Sequence, residues 1–426
     1  MTELNRKTAP DFKEIDSINF QLPEISTLDN SIPYVEYNMG SQELIKIDLV
    51  FRAGVKFQSK PLQASMTSEM LREGTTNFNS LEIANKIDFY GAFLETDLNS
   101  DFATVSLYAL NKQLDYVLPM LKEVVTLSNF PQKEFDKKIN IKKQQYIIGQ
   151  EKVETLASKA YSHDVFKGTK YANKTTIESF DELSHEDCIS FFNECYNLNE
   201  MDVFVAGKVD SKVKTRLNEL FGQKPLTHSV PEFEIGKSEF SPSFQFIEKK
   251  EAIQSSIRIG SPLISYEHKD FTRLKVMNTI FGGYFGSRLM ANIREEKGYT
   301  YGIGSVVMAK ENMGNLIIYT EVGTDVTQAT LDEIRKEIKL MQTEKVGEEE
   351  LYKVKNYLLG SLLQNTDGVF DQLERYKTLY YFNLPNNYYS KYIEEVRATT
   401  PEEIITLANT YLNDLSFVVA GSQSVS

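Results

Sequence analysis

Tryptophan is absent from this 426-residue chain, cysteine occurs twice and histidine four times, and no long apolar run interrupts it. Each scarcity excludes something. Cys188 and Cys195 stand seven apart in a helix-like stretch, sharing a face, but they form neither a disulfide framework nor a metal knuckle. Buried, reduced thiols are the expected state. His163, His185, His228 and His268 include no pair at the i, i+3 or i, i+4 spacing that aims two imidazoles at one metal. A membrane span needs ~20 consecutive apolar residues, and no segment approaches that. Met1 to Phe20 is polar and charged where a secretory signal carries an apolar core, so a cytoplasmic protein without membrane contacts is expected. Positive charge is scarce as well. Lys and Arg total 47 against 60 Asp and Glu, a net charge of −13 with no basic run, which argues against a nucleic-acid partner.

What is present is an ordinary globular composition, 41% hydrophobic, on a chain longer than one core usually supports. The two halves of the sequence read alike. Met201-Asp202-Val203-Phe204-Val205-Ala206-Gly207 is matched by Leu415-Ser416-Phe417-Val418-Val419-Ala420-Gly421, with Ala206 and Ala420 214 residues apart. A helix start precedes each: Ser184 and Thr400, 216 apart, stand as N-caps ahead of acidic first turns, with Pro401 at the first helical position of the second. Further back, Pro131-Gln132-Lys133-Glu134-Phe135 and Val346-Gly347-Glu348-Glu349-Glu350-Leu351 open long helices, Phe135 and Leu351 again 216 apart. Three matches in order at a nearly constant offset imply a duplicated domain of about 200 residues.

Each half mixes two periods. Ile45, Ile47, Leu49 and Phe51 alternate with Lys46, Asp48 and Arg52, predicting a half-buried strand; Thr104 to Leu110 and Asn315 to Val322 read the same way. Leu331, Ile334, Ile338 and Met341 follow the spacing of one buried helical stripe. Strands and long amphipathic helices without βαβ regularity favour an α+β fold of two homologous domains, each a mostly antiparallel sheet packed with helices. Gln223 to Ser243, with Pro225, Pro231, Gly236 and Pro242, has linker composition. The expected division is a lead-in over 1–34, a first domain over 35–222, a linker over 223–246 and a second domain over 247–426.

Phe51-Arg52-Ala53-Gly54 is followed by Met70-Leu71-Arg72-Glu73-Gly74-Thr75; Gly91-Ala92 and Thr104 follow; the second half carries Gly286-Ser287-Arg288-Leu289 and then Arg294-Glu295-Glu296-Lys297-Gly298-Tyr299-Thr300-Tyr301. With the duplicated layout, these blocks resemble the pitrilysin/insulinase family of inverted-motif zinc peptidases from about residue 35 to residue 421. The second-half block is the most specific match. The resemblance implies a clamshell of two related domains, like the subunits of mitochondrial processing peptidase. It also exposes a departure. Active members read H-x-x-E-H-M-L-x-x-G-T, and here the metal-motif positions are Ser65, Ser68 and Glu69, while the third-ligand region on the later helix reads Gln144-Gln145. One carboxylate is not a zinc site.

The family's second-half arginine and tyrosine, which hold the peptide and stabilise the oxyanion, correspond to Arg294 and Tyr301. By resemblance, then, this chain is the zinc-less subunit of a heterodimer. It binds no cofactor, lends Arg294 and Tyr301 in trans to a peptide substrate, and leaves zinc to a partner subunit of the same family. The alternative is a structural or peptide-binding member with no part in catalysis. Between Ser287 and Lys297 the sequence predicts a helix with Leu289, Met290 and Ile293 inward, stopped by Gly298. Tyr299, Tyr301 and Ile303 are expected on one face of a following strand, and Gly282-Gly283-Tyr284-Phe285-Gly286 as a mobile loop.

Overall fold

The structure is a computed structural model that describes residues 15, 17–172, 174–223 and 233–423. Two sheets carry the chain. The first contains β1 (Glu24–Thr27), β2 (Pro33–Asn38), β3 (Leu44–Phe51), β4 (Phe93–Leu98), β5 (Ala103–Leu110) and β6 (Met201–Gly207), in the order β1-β2-β6-β3-β5-β4. The second contains β7 (Phe244–Glu248), β8 (Gln254–Leu263), β9 (Ile303–Ala309), β10 (Gly314–Gly323) and β11 (Ser416–Gly421), in the order β7-β11-β8-β10-β9. Every pairing is antiparallel except β2 with β6 and β11 with β7. Set β1 aside and the two orders are the same order, strand for strand. The duplication seen in the sequence is therefore a duplication of topology, and β1 is an added edge supplied by the lead-in.

The paired helix starts form as their residues dictate. Ser184 accepts from the Asp187 amide at 3.1 Å while its own amide donates to the Asp187 carboxylate at 2.8 Å; Thr400 and Glu403 repeat the box at 3.2 and 2.9 Å. Both cysteines lie buried and unpaired on the helix His185–Cys195, and burial pushes each thiol up to about 12. Of the linker, residues 224–232 lie outside the described residues. Residues 233–243 are pinned back: the Lys170 amide donates to the Ile235 carbonyl at 2.8 Å and the Glu239 amide to the Lys167 carbonyl at 2.9 Å.

One expectation about β3 is corrected. Its alternation predicted one wet face, yet Lys46 is 7% and Asp48 0% exposed. The reason is an exchange of helices between the halves. Val369–Tyr381, from the second half, packs across the outer face of the first sheet, where Tyr376 meets Tyr37 and Tyr380 meets Phe204. Its counterpart 216 residues earlier, Val153–Val165, packs on the second sheet, joining Ala157, Tyr161 and Val165 to Val418 and Ala420. Each half therefore closes the other half's sheet.

Polar groups on those covered faces pair across the join. Lys46 lies 3.0 Å from Asp48 and 2.6 Å from Glu374, and Lys377 closes the cluster on Asp48. Burial alone would raise the Asp48 carboxyl, but the ammonium groups of Lys377 and Lys46 outweigh it and hold that carboxyl below the usual carboxylate range. On the second sheet Arg258 takes the matching place, 2.7 Å from Glu321 and donating to Ser158 of the lent helix at 3.1 Å. Lys56 of the first half, buried between Asp101 at 3.0 Å and Glu311 of the second, makes a third tie.

Candidate functional site

Ser65, Ser68 and Glu69 all lie on the helix Gln63–Met70, which follows the approach from β3. Ser65 turns its hydroxyl back to the Leu62 carbonyl at 3.0 Å, and Ser68 is buried. Hydroxyls used in this way hold no divalent cation. Glu69, the remaining potential ligand, is engaged by the Lys142 ammonium at 2.6 Å, and Glu73, one turn on, by Lys138 at 2.9 Å. Two acids four residues apart thus meet two lysines four apart on the long helix Gln132–Gly149. Gln144 and Gln145 lie exposed on that helix, and it is Lys142 that meets Glu69. A cation stands beside the carboxylate where the family places its metal, so these residues do not fit zinc. Among the described residues no group of three or more His, Cys, Asp or Glu is arranged to hold a metal ion. The Lys142 contact was missed in the sequence, although matching i, i+4 pairs at 69/73 and 138/142 were there to be read.

The second-half block is built with more care. Arg288 opens it, gripping Glu350 through two 2.9 Å hydrogen bonds from Nε and Nη2. From Met290 to Glu296 the expected helix widens to π-helical geometry, with the Lys297 amide reaching back to the Asn292 carbonyl at 2.9 Å. Asn292, on the inner side, donates to Glu333 at 2.8 Å and to Glu337 at 2.7 Å. π-helical turns of this kind concentrate at functional sites. Gly298 ends the helix with φ +67°, a conformation that suits glycine, and the Tyr299 amide closes onto Ile293 at 3.0 Å.

Here a second expectation is corrected: Tyr299 and Tyr301 are not in a strand, since β9 begins at Ile303. Residues 298–302 form a turn tied down from below, where Thr300 Oγ1 donates to the Glu321 carbonyl at 2.7 Å and accepts from the Gly302 amide at 3.1 Å. The turn folds Tyr301 back toward Arg294, whose Nε donates to the Tyr301 carbonyl at 3.1 Å. The guanidinium also lies 4.7 Å above the centre of the Phe285 ring, with the Glu295 carboxylate 3.9 Å away. Tyr301 itself is 97% exposed. The backbone is fixed while the phenol stands free in solvent.

The glycine run before the block is likewise not the loop expected. Thr279–Gly283 is a second π-helical turn, and Gly282 is buried so tightly on β9 that a Cβ there would stand 2.5 Å from Ser305 Oγ and 2.8 Å from the Ser305 amide nitrogen. Phe285 and Gly286 are exposed, while Gly283 and Tyr284 are half-buried.

Two family models match the sequence: insulinase (peptidase family M16) over residues 49–178 and the peptidase M16 inactive domain over residues 182–358. A Rickettsia felis protein described as an uncharacterized zinc protease is 26% identical over 399 residues, 90% of each chain. The non-peptidase homolog YmxG of Helicobacter pylori is 25% identical over 395 residues, 88% of this chain and 89% of its own. A crystal structure from Pseudomonas fluorescens, described as a peptidase M16 inactive domain, superimposes with a TM-score of 0.86 at 21% identity, covering 95% of this chain and 99% of that one. With both family models matched in order along the duplicated fold, this chain belongs to the insulinase (M16) family of peptidases.

Proposed function

We propose that this chain is a zinc-less subunit that completes the active site of a zinc-bearing family member. The carrying observation is an asymmetry between its halves. In the first, every metal-motif position has been replaced, and Lys142 neutralises the one acid left. In the second, Arg294 and Tyr301 are held in register by their own hydrogen bond and presented outward. The likeness to a protein described as a non-peptidase homolog supports the first half of this reading.

The chemistry follows from the side chains. The partner's bound zinc would supply an activated water for peptide hydrolysis. Against the oxyanion that forms, the Tyr301 hydroxyl is a neutral donor able to follow the charge as it develops. The Arg294 guanidinium, already committed to a backbone carbonyl through Nε, keeps its remaining N–H groups for the carbonyls of an extended peptide. Binding through the peptide backbone suits broad substrate choice.

Peptidase assays on this chain, on a zinc-bearing family member from the same organism, and on their mixture test the proposal. Turnover should appear, or rise well above the partner's own, only in the mixture. Tyr301→Phe should then lower it by ~10²–10³, the scale of one lost oxyanion donor, with the melting temperature unchanged. A mixture no faster than the partner alone would leave this chain a structural or peptide-binding member without a part in catalysis.

A further inference from the structure

Two half-buried cations in the second half lack the carboxylate that three other inward-facing cations keep. Lys46, Lys56 and Arg258 each keep a carboxylate within 3.0 Å. Lys275, on the helix Phe271–Asn278, and Arg375, on the helix Val369–Tyr381, face one cavity of about 310 Å³ and form no ion pair among the described residues. The Lys275 ammonium rests 5.3 Å from the ring centres of Tyr266 and Phe271, and Arg375 Nε is buried with no hydrogen-bond partner among the described residues. Burial, and after it the charge of Arg375, pulls the Lys275 ammonium down to about 8. Tyr266, Tyr388, Tyr389 and Tyr392 form the aromatic wall, and Ser361 of the facing helix Glu348–Gln364, with Asn365 at that helix's C-terminal end, adds polar groups. Two like charges facing one cavity without a counter-ion is an arrangement that folding alone disfavours. It is also how a site for a negative ligand is built, because the ligand brings the missing charge.

We infer that this cavity is a binding site for a small oxyanion, a carboxylate or phosphate group, gripped between Lys275 and Arg375. The cavity contains neither Arg294 nor Tyr301, so the inference stands whether or not those two residues serve a partner. Isothermal titration of the full chain with inorganic phosphate, with a short peptide ending in a free carboxylate, and with the same peptide as its C-terminal amide provides the test. Saturable binding of phosphate or of the free-acid peptide is expected, weakened ~10-fold or more by Lys275→Met and by Arg375→Met, since a hydrogen bond to a charged group is lost in each. Rejection of the amide would identify a peptide terminus as the ligand, and binding of phosphate alone a phosphate group. Because each substitution removes an uncompensated charge, both variants should melt no lower than the wild type when ligand-free. The inference is overturned if neither oxyanion saturates at millimolar concentration, or if binding survives both substitutions.

Discussion

Replacing Asp48 with asparagine keeps the volume of the side chain and removes only its charge, which makes Asp48→Asn a direct probe of how the two halves are joined. Asp48 is fully buried, and the ammonium-bearing side chains of Lys46 and Lys377 are 9% and 12% exposed. Breaking a buried ion pair from one side costs ~3–5 kcal/mol. Here both lysines would retain Glu374, at 2.6 and 3.0 Å on a half-exposed side chain, so the lower end, ~3 kcal/mol, is expected. The conversion to temperature depends on what melts. At ~2.1 cal/mol/K per residue, a single transition of the whole chain carries ~0.9 kcal/mol/K, and the midpoint falls by ~3 °C; a half melting alone would carry about half that entropy, and its midpoint would fall by ~7 °C. Because each half closes the other's sheet, one transition and the smaller shift are expected in scanning calorimetry. The pH dependence is also determined. A carboxyl whose folded pKa is depressed contributes stability that is fully present above its unfolded value of ~3.9 and is lost as pH falls through the folded value. Wild type and variant should therefore differ by a constant amount near neutrality and converge below pH ~4. Two resolved transitions, or a midpoint unchanged at pH 7, would refute the reasoning.

Other outcomes follow from single contacts. Gly282→Ala places a methyl group 2.5 Å from Ser305 Oγ and 2.8 Å from its amide nitrogen, and should cost ~1–3 kcal/mol in urea denaturation; a neutral result would mean that the π-helical turn is not packed on β9. With both thiols pushed up to about 12, Cys188 and Cys195 should resist a thiol reagent at pH 8 in the native chain and react fully, two per chain, in guanidinium. Rebuilding the metal motif as Ser65→His, Ser68→Glu, Glu69→His and Gln145→Glu should give little zinc by elemental analysis while Lys142 remains, and more once Lys142→Gln is added. Equal zinc in the two variants would show that Lys142 is no barrier.

Much of the fold was legible because a duplicated pattern reports itself twice. The Ala-Gly strand ends, the capping boxes at Ser184 and Thr400 and the helix starts near Phe135 and Leu351 all sit where an offset of 214 to 216 residues places them. What was not legible depends on which half covers which. Alternation in β3 was correctly read as a strand and wrongly as a wet face, because Lys46 and Asp48 look the same in sequence whether they meet water or Lys377 and Glu374. At the site, the spacing of Arg294 and Tyr301 was visible, but the turn that joins them was not. A strand and a tied-down turn both tolerate Tyr-Thr-Tyr, and only the hydrogen bonds of Thr300 decide between them. Lys275 and Arg375, 100 residues apart, carry no local sign that they share a cavity.

The exchange of the helices Val153–Val165 and Val369–Tyr381 also bears on what each half needs from the other. A single half on its own would leave one sheet face bare and one apolar helix with nothing to cover. Two identical halves satisfy both needs at once, each lending its helix to the other, and that arrangement closes upon itself with nothing left over. Neither half of this duplicated chain is therefore complete without the other. A substitution in either lent helix is answerable to a sheet that the other half encodes.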